Sequence, residues 1–211
     1  MSVLSKAQIE ESLRPFLSPV PPDLLQQLSS YLDLLVKWNA RTNLTAVRNP
    51  EDMVRRHFGE SLFAGRFLGD PLPDTLLDLG SGAGFPGIPI ALLHPSIAVT
   101  LAESQNKKAT FLREVVRTLG LKNIQVWDGR AEDLPADRRF HTVTLRAVDN
   151  MAAALAAAAP RTARQMVLLS TGLPSLPERF TLLEKISLPE SHEGVLLRFV
   201  VTDVPRGTIE N

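Results

Sequence analysis

The chain has no cysteine. That excludes disulfides and thiolate-bound metals, and it fits a reducing compartment. No apolar run approaches the roughly 20 residues needed to cross a bilayer, so no membrane partner is expected. The opening Met-Ser-Val-Leu-Ser-Lys lacks the basic-then-apolar order of a secretory signal, and a cytoplasmic location is expected. Net charge is also lacking: 23 basic residues face 23 acidic ones. A nucleic-acid partner must then be met by a local basic patch, not by the field of the whole molecule. What the chain does have is apolar content, 44% of 211 residues. That suffices for one sizeable domain with an appendage.

The centre of the chain is Thr75-Leu76-Leu77-Asp78-Leu79 followed by Gly80-Ser81-Gly82-Ala83-Gly84-Phe85-Pro86-Gly87. The first part reads as a buried strand and the second as a tight glycine turn. Ile88, Ile90, Ala91 and Leu92 continue as a helix. In a parallel α/β sheet such a turn lies at the carboxyl end of a strand, where ligands bind. A dinucleotide fingerprint needs a third glycine at position 85, which is Phe85 here. The GxGxG spacing after an Asp-bearing strand is instead similar to the first motif of S-adenosylmethionine-dependent methyltransferases. A purely structural glycine turn is the alternative.

Around this centre the pattern alternates. Residues 5–17 have helical spacing, and Pro22 opens a longer amphipathic helix reaching about residue 40. Residues 38–48 form a polar connector. Asn49-Pro50-Glu51-Asp52 starts another helix, which runs to about Phe67. Residues 37–57 hold Arg48, Arg55, Arg56 and His57 among six basic residues against two acids, a modest basic surface or a solvated helix face. A second strand, 97–101, leads to Glu103 and the turn Ser104-Gln105. An acid at the tip of strand two, about 20 residues beyond the glycine turn, suits two ribose hydroxyls. A helix spans 106–119 and Gly120 caps it. Strands follow at 124–127, 140–145 and 166–169, with an acid-bearing turn at Ala131-Glu132 and an alanine-rich helix at 151–159. Segments 181–188 and 195–201 read as a closing hairpin. The alternation implies a doubly wound, mostly parallel sheet.

With these pieces in order, the chain resembles the bacterial glucose-inhibited division protein B family, the 16S rRNA guanine-N7 methyltransferases. The likeness is carried by Lys37-Trp38-Asn39 with Asn43-Leu44-Thr45-Ala46, Arg56-His57-Phe58 with Ser61-Leu62, and the Leu77-to-Gly87 string. Glu103-Ser104 with Lys107-Lys108, Gly129-Arg130-Ala131-Glu132 and Arg146-Ala147-Val148 continue it. The resemblance implies a Rossmann-like class I methyltransferase of seven strands. An N-terminal helical extension (1–70) would precede the S-adenosyl-L-methionine-binding domain (71–211). It implies a cofactor site of Asp78, Gly80, Gly82, Gly84, Phe85, Glu103, Ser104, Gln105, Ala131, Glu132 and Arg146. Asn43, Arg48, Arg55, Arg56 and His57 are the candidate grip on 16S rRNA or the small ribosomal subunit. No metal is expected, and a monomer is. Three departures from the family pattern, Leu145 before Arg146, Thr171 after strand five and the absence of a basic tail, fall on the presumed RNA side.

Guanine N7 has a free in-plane lone pair, so the chemistry asked of the protein is alignment, not proton removal. Arg146 could serve a guanine edge, a phosphate, or a carboxylate such as Glu132. Other readings are a methyltransferase of a small molecule or protein, a nucleotide oxidoreductase, and a non-catalytic RNA-binding module.

Overall fold

The computed structural model describes residues 2–146 and 150–202. Ala147, Val148, Asp149 and the tail after Thr202 lie outside the described residues. Seven strands form one sheet in the order β3-β2-β1-β4-β5-β7-β6. They are β1 (Thr75–Leu79), β2 (Ala98–Glu103), β3 (Ile124–Asp128), β4 (Phe140–Arg146), β5 (Thr162–Ser170), β6 (Phe180–Ser187) and β7 (Val195–Val201). The first five pair in parallel, and β7 runs antiparallel between β5 and β6. The expected hairpin therefore closes the sheet. β5 begins four residues before the sequence reading, at Thr162, where it pairs with Phe140.

Successive strand residues feed opposite faces, as the pleat requires. Leu76, Leu101 and Val167 join one apolar cluster, and Leu77, Ala102 and Leu168 the other. α7 (Met151–Ala158) covers the second face with small alanine side chains. The first face receives α5 (Gly87–Leu93), α6 (Asn106–Leu119) and the whole N-terminal helical set. The boundary drawn at residue 70 thus does not divide the core: Leu13, Leu32, Phe58 and Leu62 share a cluster with Ile88, Leu101 and Phe111.

The N-terminal elements follow their local signals. α1 (Lys6–Leu13) starts in a capping box between Ser5 and Gln8. α2 (Pro22–Thr42) has proline at its first position and ends at Asn43 in the left-handed conformation, φ 50°. Asn49 caps the next helix, accepting from Glu51 and Asp52 N–H at 2.8 and 3.2 Å. That helix is not uniform. α3 (Pro50–Met53) widens into a π-helical turn, Val54–Gly59, before α4 (Glu60–Gly65). Gly59 meets the ring of Phe16, where an added Cβ would come within 2.5 Å. The wide turn and the first residue of α4 bring Arg56, His57 and Glu60 to Arg146 at the carboxyl end of β4, and π turns often occur at functional sites. Among the described residues no helix is long and apolar enough to cross a membrane.

Candidate active site

The glycine turn leaves β1 with Gly80 at φ +70°. A Cβ at Gly80 would meet nothing within 4 Å, because it would point into an open cleft. Gly80 and Ser81 N–H both donate to Ala102 O, at 2.9 and 3.1 Å, tying the turn to β2. Where the sequence places Asp78 among the cofactor contacts, the structure puts it beneath the turn, 1% exposed. Its carboxylate accepts from Gly87 N–H at 3.0 Å and from the Thr144 hydroxyl at 2.8 Å. Burial lifts its pKa from 3.8 to about 6, against those hydrogen bonds. Asp78 therefore holds the shape of the turn from below.

The cleft above the turn encloses about 570 Å³. Gly80, Glu103, Ser104, Ala131 and Glu132, all candidates from the sequence, line it together with Asn150 and Ala153 from the start of α7. Glu103 is 5% exposed, and its two oxygens accept from Gly82 N–H at 2.9 Å and Gln105 N–H at 2.8 Å. One N–H on each oxygen leaves further lone pairs for hydroxyls of a ligand. Gly82 and Gln105 thus orient the acid through their main chain. The open face at Gly80, the anchored carboxylate and a volume within the range for small-ligand clefts fit an adenosyl group.

Sequence reasoning missed Arg161. This buried guanidinium reaches back to the turn after β3. It donates to the carbonyls of Glu132 and Leu134, at 3.0 and 2.7 Å, and to those of Pro135 and Arg138. The wall expected to receive a base is held by that one side chain. No local motif signals it, because the contacts span more than 20 residues of chain.

Phe85, expected at the cofactor, faces the other way. It is 7% exposed and sandwiched between Tyr31 and His57, with ring centroids at 5.3 and 5.0 Å. The Tyr31 hydroxyl donates to Ala83 O. Gly84, at φ +93°, leaves room for this contact, since a Cβ there would meet Tyr31 Oη and Ile88 at 2.5 Å. α2 is therefore clamped onto the glycine turn.

Arg146 sits at the end of β4, in a second cleft of about 240 Å³. It does not pair with Glu132. Its guanidinium donates to Glu60 Oε2 at 2.9 Å, to His57 Nδ1 at 3.1 Å and to Arg56 O. An arginine can only donate, so His57 carries its proton on Nε2 and gives it to Thr45 Oγ1 at 2.8 Å. Burial, then the charges of Arg146 and Arg56, lower the His57 pKa from 6.5 to about 3. His57 is thus a neutral ring inside the structure, not a surface cation.

The other RNA candidates divide. Arg48 is exposed but bonded to Asn43 Oδ1 at 2.8 Å and to Asn39 O, so both belong to the connector, which the buried Asn39 organises. Arg55 lies among Glu51, Asp52 and Glu190 at 3.5–3.8 Å. Arg56 is exposed and lines the second cleft, as does Thr171. Leu145 is fully buried in the sheet, so that departure from the family pattern does not face a ligand.

A doubly wound sheet with a glycine turn after β1 and an anchored acid at the tip of β2 defines a class I S-adenosylmethionine-dependent methyltransferase fold. A putative methyltransferase from Escherichia coli has the same fold, with TM-score 0.56 and 16% identity, over 67% of this chain and 85% of its own. The chain belongs to the GidB family, rRNA small subunit methyltransferase G, which matches residues 24–178. Ribosomal RNA small subunit methyltransferase G of Nitrosomonas europaea is 44% identical over 68% of this chain and 67% of its own length. The protein of the same name from Xylella fastidiosa is 50% identical over 59% of this chain and 57% of its own.

Proposed function

We propose that this chain transfers the methyl group of S-adenosyl-L-methionine to N7 of a guanine in small-subunit (16S) ribosomal RNA. The observation that carries the reading is the Glu103-anchored cleft, set beside a second cleft at the neighbouring strand end in a chain of this family. When bound, the cofactor supplies a methyl carbon activated by its sulfonium, which leaves as a neutral thioether while the purine takes the positive charge. The chain's own residues hold and align. Glu103 offers its free lone pairs to the ribose hydroxyls, and Gly80 lets the main chain approach closely. The turn at Ala131-Glu132, fixed by Arg161, receives the base. No side chain has to remove a proton from N7, and His57, committed to Thr45 and Arg146, is no proton carrier. What the fold contributes is in-line placement of two reactants.

The reading carries with it a monomer working in the cytoplasm. Its test is transfer of labelled methyl to unmethylated small subunits, to protein-free rRNA and to unrelated RNA. Label in N7-methylguanine of small-subunit rRNA is expected. Cofactor binding without label in any of these RNAs would end the proposal.

A further inference from the structure

We infer that the second cleft is the guanine subsite and that Glu60 selects the base, accepting its N1–H and N2–H donors. The inference deepens the proposed function and rests on it. The cleft is lined by Arg56, Glu60 and Arg146 on its polar side and by Met151, Leu169 and Leu188 on its apolar side. Its volume of about 240 Å³ suits one flat base, with apolar side chains for the faces of the ring. The carboxylate is held firmly. Glu60 Oε2 takes Arg146 at 2.9 Å, with the two side chains 15% and 12% exposed. Among the described residues Oε1 has no hydrogen-bond partner, and no buried polar side-chain atom is left unsatisfied. Oε1 is therefore accessible, on a side chain that lines the cleft.

The chemistry of the bases narrows the choice. On its Watson–Crick edge guanine offers two adjacent donors, N1–H and N2–H. Adenine and cytosine pair one donor with a ring acceptor, and uracil sets one donor between two carbonyls. A carboxylate, which only accepts, matches guanine and repels the ring acceptors. N7 lies on the opposite edge of the purine from N1, so a base held by Glu60 keeps N7 free for attack. The two clefts adjoin where Asn150 lines one and Met151 the other, at the carboxyl ends of the paired strands β1 and β4. Arg146 is a positioning residue here: three of its donors hold Glu60, His57 and Arg56 O in place.

The test has two arms, each read with labelled S-adenosylmethionine on reconstituted small subunits. The methylated guanine is first mapped by N7-specific cleavage in the wild-type product. Particles then carry either guanosine or inosine at that one position, inosine lacking the N2 amino group. Wild type is expected to lose about 10- to 100-fold in kcat/KM on inosine, the worth of a hydrogen bond to a charged group. Glu60→Gln is expected to lose a similar factor on guanosine, to stop distinguishing the two particles, and to keep wild-type cofactor affinity by calorimetry. Should that variant misfold, the wild-type comparison alone decides. Wild-type transfer to guanosine and inosine at equal rates would overturn the role of Glu60 while leaving guanine methylation standing. Cofactor binding with no methyl reaching any guanine would remove the underlying reading, and this one with it.

Discussion

Arg146 donates to Nδ1 of His57 at 3.1 Å, a cation resting on an imidazole that has no room for a second proton. The pKa of His57 falls from 6.5 to about 3 in the folded chain. Above pH 6.5 both folded and unfolded chains hold it neutral, and its contribution to stability is complete. Between 6.5 and 3 the unfolded chain takes up a proton that the folded chain refuses, so stability falls with pH by up to about 1.4 kcal/mol per unit. Asp78 acts oppositely. Its pKa rises to about 6, so the stability it lends is present below 3.8 and is lost as pH climbs through 6. Urea unfolding from pH 4 to 8 should show a weaker acid-side loss in His57→Gln than in wild type, and a steeper one in Asp78→Asn. Parallel curves for wild type and His57→Gln would disprove the buried neutral ring.

Tyr31 and the glycine turn are coupled through a hydroxyl and a missing side chain. Tyr31→Phe keeps the stack on Phe85 but leaves Ala83 O without its donor, and should cost about 1–3 kcal/mol. Gly84→Ala adds a Cβ 2.5 Å from Tyr31 Oη at a positive φ, and should cost more. The double variant should lose less than the sum of the two effects, since Tyr31→Phe removes one of the two groups that the new methyl would strike and leaves Ile88. Thermal unfolding of the single and double variants measures this, and simple addition would rule the coupling out.

How far the sequence could show this depends on the range of each contact. The strand–glycine–helix centre, the acid at Glu103 and the hairpin are written in runs of a few residues. The mostly parallel sheet followed from them; its strand order did not. The contacts missed are long-range. Tyr31 reads as one more member of the α2 stripe, and nothing near it points to a carbonyl 52 residues away. Arg161 reads as a charge after a proline. A motif places Phe85 at the glycine turn but cannot display that its ring turns to the N-terminal helices. The π-helical turn is invisible because Met53, Val54, Phe58 and Leu62 suit an ordinary helix equally well. β5 is read short because the polar Thr162–Gln165 start lacks the apolar run that follows.

Arg161 gives a sharper test of the cleft than any residue lining it. Its guanidinium satisfies four carbonyls across the turn from Glu132 to Arg138, and methionine would fill the space without donating. Arg161→Met should lower stability by about 2–4 kcal/mol. Below its melting temperature it should also weaken S-adenosylmethionine binding about tenfold or more, because the wall that receives the base is no longer fixed. Calorimetry at 10 °C separates the two effects. Wild-type affinity in a folded variant would show that the turn keeps its shape unaided.

Arg55 and Arg56 are neighbours in sequence but not in electrostatic surroundings. Arg55 is shared among three acids, and its charge is largely answered before any RNA arrives. Arg56 is exposed at the mouth of the cleft beside Glu60, with its main-chain carbonyl holding Arg146 and its side chain outside that network. A phosphate contact there would release about one counterion. Arg56→Ala should therefore reduce the slope of log affinity against log salt by about 1, and Arg55→Ala should change it little. Filter binding to small-subunit rRNA between 50 and 200 mM salt, a range over which such slopes are resolved, reads both slopes. A slope that changes for Arg55 and not for Arg56 would put the RNA on the side of α3, away from the methyl-transfer clefts.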